Sequence, residues 1–179
     1  MEDKNWFLLL FREIKINPGI KSKLIIFLYR LSSLRYNNRL FNLIFLPIHL
    51  FYFILVDFIM GVEIKPRTKI GWGLVIYHPV AIIINPNTII GKNCIIRHCL
   101  TIGNKFNRVK DSCTDCPIIG NNVEFGANTT IIGAIKVGDN AIIGANVFLD
   151  YSVNNFEKVL PLRGCLYSDK VKKVLGENG

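Results

Sequence analysis

From residue 61 onward, one position in six carries a large apolar side chain. Ile64, Ile70, Ile76 and Ile82 open the series, which slips by two residues and resumes at Ile90, Ile96 and Ile102. Beyond an insertion it returns at Ile119, Phe125, Ile131, Val137, Ile143 and Leu149. All thirteen positions are β-branched, Leu or Phe, and seven are followed directly by glycine (71, 91, 103, 120, 126, 138 and 144). Strands alternate with period two and helices repeat every ~3.6 residues, so a period of six is the mark of an internal repeat. One short strand and one turn per hexad, three hexads to a coil, build a prism in which the repeat residue points inward. A glycine after that residue suits a tight corner. Thirteen hexads predict a little over four coils across residues 61–150. An isoleucine-rich sandwich is the competing reading, and it gives no reason for the spacing.

Residues 1–60 follow a different pattern. Pro18-Gly19 is an early break, and Ile20 to Tyr36 repeats apolar residues at three and four, predicting a helix that Asn37-Asn38 interrupts. From Phe41 to Met60 runs a stretch of twenty residues whose main polar members are Asn42, His49 and Asp57. That length can span a bilayer. Pro47 would kink such a helix, and Asp57 would be costly away from an interface. Three readings stay open: a spanning helix, an interfacial hairpin, and a helix capping the repeat domain. Residues 151–179 form a tail with a short helix expected over Ser168 to Leu175.

Charge sharpens the picture of the N-terminal segment. The chain carries a formal +9, with half of its residues hydrophobic and a fifth charged, which excludes a disordered tail. Within residues 1–40, eight cations (Lys4, Arg12, Lys15, Lys21, Lys23, Arg30, Arg35, Arg39) face Glu2, Asp3 and Glu13. Interleaved with Trp6 to Phe11 and Ile25 to Leu28, they suit an anionic membrane surface. A phosphate-tracking groove for nucleic acid would not be so aliphatic. Five cysteines are an odd number, and the two acids at the start with no small-residue cleavage site point to a reducing cytoplasm. Cys113 and Cys116 make a lone C-x-x-C without further ligands at zinc spacing, so no metal is expected.

The segments VEIKPRTKIGWGLVIYHPVAIIINPNTIIGKNCIIRHCLTIGN and CPIIGNNVEFGANTTIIGAIKVGDNAIIGANV resemble the hexapeptide-repeat acyltransferases, in particular the serine acetyltransferase branch. Within it they are similar to the short O-acetyltransferases of capsule and exopolysaccharide synthesis. The resemblance covers about half the chain. It implies a mainly β, left-handed parallel β-helix that assembles as a homotrimer and uses acetyl-CoA as donor. It also implies a histidine base, at the place of His78, helped by a carboxylate at the place of Glu63. A base with pKa near neutral takes the acceptor's hydroxyl proton, and a carboxylate on the far nitrogen fixes the imidazole. The family's usual aspartate is one methylene shorter than Glu63.

His98 follows His78 by one coil plus the slip, so the two should stack on adjacent coils; His98 serves the acceptor or is a rung of a polar ladder. Serine acetyltransferases carry aspartate where Tyr77 stands, and an arginine-histidine pair where Asp115 and Cys116 stand. The cation that would hold a serine carboxylate is thus an acid here, which favours a neutral sugar hydroxyl as acceptor. Asn104 to Pro117 would overhang the site of a neighbouring subunit. By position in the family, Gly103, Asn104, Ala127 and Ala145 would contact acetyl-CoA. The family's usual C-terminal close over the pantetheine arm is not recognisable. The expected protein is a cytoplasmic O-acetyltransferase at the inner face of the membrane, with a saccharide or lipid-linked saccharide acceptor and no nucleic acid. A serine acetyltransferase, a non-catalytic anchored scaffold and a zinc carbonic anhydrase are the alternatives; the last needs three converging histidines, and His49 lies in the apolar run.

Overall fold

The computed structural model describes residues 5–105 and 116–161. Helices fill its N-terminal part and a parallel β-solenoid the rest. The first coil is β1 (Val62–Ile64), β2 (Lys69–Ile70) and β3 (Val75–Tyr77), the second β4 (Ile82–Ile84), β5 (Ile89–Ile90) and β6 (Ile95–Arg97). The third is β7 (Thr101–Gly103), β8 (Ile118–Ile119) and β9 (Glu124–Phe125), the fourth β10 (Thr130–Ile132), β11 (Lys136–Val137) and β12 (Ile142–Ile143). A fifth holds β13 (Phe148–Leu149) and β14 (Lys158–Val159), with Val153 bridging to Val137 between them. Three faces result, in the orders β1-β4-β7-β10-β13, β2-β5-β8-β11 and β3-β6-β9-β12-β14.

All thirteen repeat residues are buried, none more than 8% exposed. A second inward column lies two residues ahead of them, with Val62, Leu74, Thr88, Cys94, Leu100, Val123, Thr129 and Ala141 also buried. Strand alternation demands it, since residues i and i−2 share a face. Burial inside this column pushes the Cys94 thiol up to about 11. The solenoid runs beyond Leu149, further than the repeat predicts. Its last coil is two residues shorter: Ile143 pairs with Val159, sixteen residues on, whereas Phe125 pairs with Ile143, eighteen on. Asn155 falls in the repeat slot there and turns its Oδ1 to the Asp139 N–H at 2.9 Å, hiding the coil from a hydrophobic count.

The helices are α1 (Trp6–Ile16), α2 (Ile20–Ser33), a 3-10 turn over Leu34–Tyr36, α3 (Arg39–Ile44) and α4 (Leu46–Tyr52), which runs into a π-helical turn over Phe53–Ile59. Asn38 caps α3, its Oδ1 accepting from Phe41 N–H at 2.9 Å. Pro47 falls in the first turn of α4, where its missing N–H costs nothing, so a new helix begins instead of a kinked one. No helix among the described residues is long and apolar enough to cross a membrane. The Phe41–Met60 run instead closes the prism: Tyr52 and Val56 share one apolar cluster with Val62, Ile64 and the solenoid interior.

An open solenoid end exposes a coil of unpaired backbone groups. The helices satisfy them with side chains. Tyr52 Oη donates to Ile64 O at 2.6 Å, Tyr29 Oη to Thr68 O at 2.6 Å and Ser22 Oγ to Ile76 O at 2.7 Å. Arg30 donates to the carbonyls of Ile70 and Gly71, while Asn17 spans Leu74 O and Ile76 N. Glu13 accepts from the N–H groups of Gly73 and Leu74 and pairs with Arg30 at 2.8 Å, both side chains buried. The desolvated carboxylate is therefore fully answered, as a buried charge must be.

Candidate active site

The corner joining the third face to the first carries the histidines. β3 and β6 pair Ile76 with Ile96 and Tyr77 with Arg97, and His78 and His98 each follow directly on the last of these pairs. Their rings meet edge to face, centroids 6.1 Å apart at 73°. Cys99 N–H donates to Val80 O at 2.9 Å and β4 pairs Ile83 with Thr101, which leaves His78 and Pro79 as the two residues without counterparts in the next coil. The chain bulges there, and His78 within the bulge and Ala81 just beyond it both take left-handed φ, 52° and 51°. That conformation is uncommon outside glycine and asparagine. It sets the His78 side chain out to solvent.

The same corner continues upward through Ala127 and Ala145. Asn128 N–H donates to His98 O at 3.0 Å, and Asn146 N–H to Ala127 O at 2.9 Å. Two imidazoles followed by two methyls leave the corner recessed beyond His98. At this recess the backbones lie close: a Cβ on Gly126 would stand 2.2 Å from Ala145 N. His98 Nδ1 is buried and has no hydrogen-bond partner among the described residues.

Beside the histidines runs a column that the sequence reading missed. Arg97 lies over the Tyr77 ring at 5.5 Å, donates to Phe125 O at 2.9 Å and pairs with Glu124 at 2.7 Å. The spacing that stacks His98 on His78 also stacks Arg97 on Tyr77, so this signal was available. Glu63 is the exposed middle residue of β1, opposite Ile83, and has no hydrogen bond or ion pair among the described residues. The structure thus gathers His78, His98, Tyr77, Ala127 and Ala145 but does not join Glu63 to His78.

Gly103, Asn104 and Cys116 lie elsewhere, at the corner joining the first face to the second. Asn85 is the hub there, its Nδ2 donating to Asn104 Oδ1 at 3.0 Å and its Oδ1 accepting from Cys116 Sγ at 3.3 Å. A three-residue strand such as β4 separates the corners by ~10 Å. Asp115, Cys113, most of the expected overhanging loop and the expected helix over Ser168 to Leu175 lie outside the described residues. His49 bonds Ser32 Oγ at 2.8 Å within the helical cap, and no three His, Cys, Asp or Glu side chains converge among the described residues.

Comparison with known proteins agrees with this architecture. Residues 116–150 match the bacterial transferase hexapeptide (six repeats) model. WcaB of Escherichia coli strain K12, provisionally named a colanic acid biosynthesis acetyltransferase, is 39% identical over 125 residues, 69% of this chain and 75% of WcaB. The serine acetyltransferase of Helicobacter pylori strain 26695 is 38% identical over 137 residues, 72% of this chain and 69% of that protein. Soybean serine acetyltransferase shares the fold with a TM-score of 0.70 at 23% identity, over 86% of this chain and 64% of that one. The chain thus spans just under two thirds of the soybean enzyme. With relatives at this identity over this much of their length, the chain belongs to the hexapeptide-repeat acetyltransferases, on the branch that holds the serine acetyltransferases and WcaB.

Proposed function

We propose that this acetyltransferase transfers the acetyl group of acetyl-CoA to a sugar hydroxyl in the synthesis of a surface polysaccharide, capsule or exopolysaccharide. The observation that carries the reading is the His78–His98 stack at a corner whose next two rungs are alanines. His78 takes the acceptor's hydroxyl proton, and the oxygen adds to the thioester carbonyl. Collapse breaks the C–S bond, and the imidazolium returns the proton to the departing sulfur, giving CoA thiol and an acetyl ester. The recess at Ala127 and Ala145 takes the pantetheine arm. His98 contacts the acceptor, offering the buried Nδ1 that nothing among the described residues satisfies.

The solenoid is left-handed in this reading, and three copies pack side by side as a homotrimer in the cytoplasm, at the inner face of the membrane. One copy's Gly103, Asn104, Asp115 and Cys116 then complete the next copy's histidine corner, which answers the separation of the two corners within one chain. Glu63 orients His78 only in the loaded site, since hydrogen bonds of this kind often close only in the substrate complex.

Serine O-acetylation is the second reading, favoured by the 38% identity to the Helicobacter pylori enzyme. Tyr77, Asp115 and Cys116 stand against it: the aspartate of the serine acetyltransferases is absent at 77, and Asp115 and Cys116 replace the pair that supplies a cation for the serine carboxylate. Thiol release from acetyl-CoA separates the two. The proposal expects release with saccharide or lipid-linked saccharide acceptors and none above background with L-serine. Saturable release with L-serine alone would replace the sugar reading. Saturable CoA binding without release on any acceptor would leave a scaffold.

A further inference from the structure

We infer that the helical cap docks flat on an anionic phospholipid bilayer through the outer side of residues 39–59. Inward-facing Tyr52 and Val56 anchor this segment to the solenoid. Its outward residues are large and apolar: Leu43 is 71% exposed, Phe58 82% and Ile59 66%, with Leu40, Ile44 and Ile54 beside them in sequence and also exposed. Such a density of exposed apolar residues on short helices needs a cover. Among the described residues no helix is long and apolar enough to cross a bilayer, and short helices with one apolar outer side have the geometry of a segment lying in the interface.

Charge decides the occupant. Residues 5–60 contain only two carboxylates, and both are spent in ion pairs, Glu13 with Arg30 and Asp57 with Lys65. Arg12, Lys15, Lys21, Lys23, Arg35 and Arg39 are left with no acid in the segment to answer them. A symmetric contact with a second copy would bring this charge against itself. An anionic lipid surface neutralises it and covers the apolar residues at once. Arg35 and Arg39 line a cleft of about 270 Å³ with Tyr36, Asn38 and Asn42, at the start of the apolar segment, where a lipid phosphate would sit.

The docked orientation also bears on the active corner, and this part rests on the proposed function. The cap covers the first coil, His78 closes that coil and His98 the next. At ~4.8 Å per coil, the stack lies just beneath the cap layer. A saccharide carried on a lipid headgroup would be presented to it from the docked side.

Vesicle flotation of the full chain tests the inference without any acceptor, so its failure leaves acetyl transfer standing. Vesicles of phosphatidylcholine alone are compared with vesicles that also contain phosphatidylglycerol. The protein is expected to float with the anionic vesicles and to partition far less to the neutral ones. The pair Arg35→Gln/Arg39→Gln should lower partition about thirty-fold, roughly a factor of five for each basic residue near the surface. Leu43→Ser/Phe58→Ser should abolish flotation while leaving the melting temperature and solution mass unchanged, because both residues point outward. The inference is overturned if the chain stays with the free protein at every composition, or if the apolar double variant floats like wild type. It is equally overturned if that variant lowers the solution mass, which would give the surface to another copy of the chain.

Discussion

His49 shows how a single residue ties pH to the integrity of the cap. Burial first, then the nearby charges of Arg35 and Lys65, lower its pKa below the usual 6.5. In the unfolded chain the ring protonates at its ordinary value, so acid favours unfolding. Its contribution is complete above pH 6.5 and is lost as the pH falls through the lowered folded-state value. Thermal melts should therefore show the protein less stable at pH 5 than at pH 7.5, and His49→Gln should shrink that difference. An unchanged pH dependence in the variant would take His49 out of the account. At this scale the sequence was informative wherever a side chain repeats a slot: the His78–His98 stack follows from spacing alone. It was silent on the Ser32–His49 bond, because nothing periodic relates residues on two helices.

Among the elements, the junction between helices and first coil carries the most concentrated electrostatics. Arg30 touches Glu13, two backbone carbonyls and the face of Trp72 at 4.3 Å. Replacing it with methionine keeps much of the volume but strands a buried carboxylate, at a cost of about 3–5 kcal/mol. Chemical denaturation should report that loss, and the helices should melt ahead of the strands; a loss below about 1 kcal/mol would mean that water reaches the Glu13 carboxylate freely once Arg30 is gone. The strands themselves were legible because every hexad delivers one large apolar residue to the axis. The inner column two residues earlier was less so, since it accepts Thr88, Cys94 and Ala141 as readily as Leu100. The cap network was not legible at all. Its donors, Tyr29, Tyr52, Asn17 and Ser22, are chosen by which carbonyl each reaches across the fold, and no local pattern encodes that.

The whole molecule has three layers: a helical cap, whose outer side is proposed to meet lipid, a first pair of coils bearing the histidine stack, and an upper solenoid whose corner narrows to alanines. The fifth coil escaped the repeat because a two-residue deletion and Asn155 broke its phase. The pairing of the two separate corners into one site belongs to the proposed trimer, where no single chain can display it. The central claim is that the alanine rungs hold the donor while His78 moves the proton. The measurement that tests it most directly is a calorimetric titration of acetyl-CoA into wild type and His78→Ala, with turnover followed on the same samples. Saturable binding at one site per subunit is expected in both, with turnover reduced by about 10²–10⁴-fold in the variant. Wild-type turnover in His78→Ala, or no saturable binding to the wild-type chain at millimolar ligand, would contradict it.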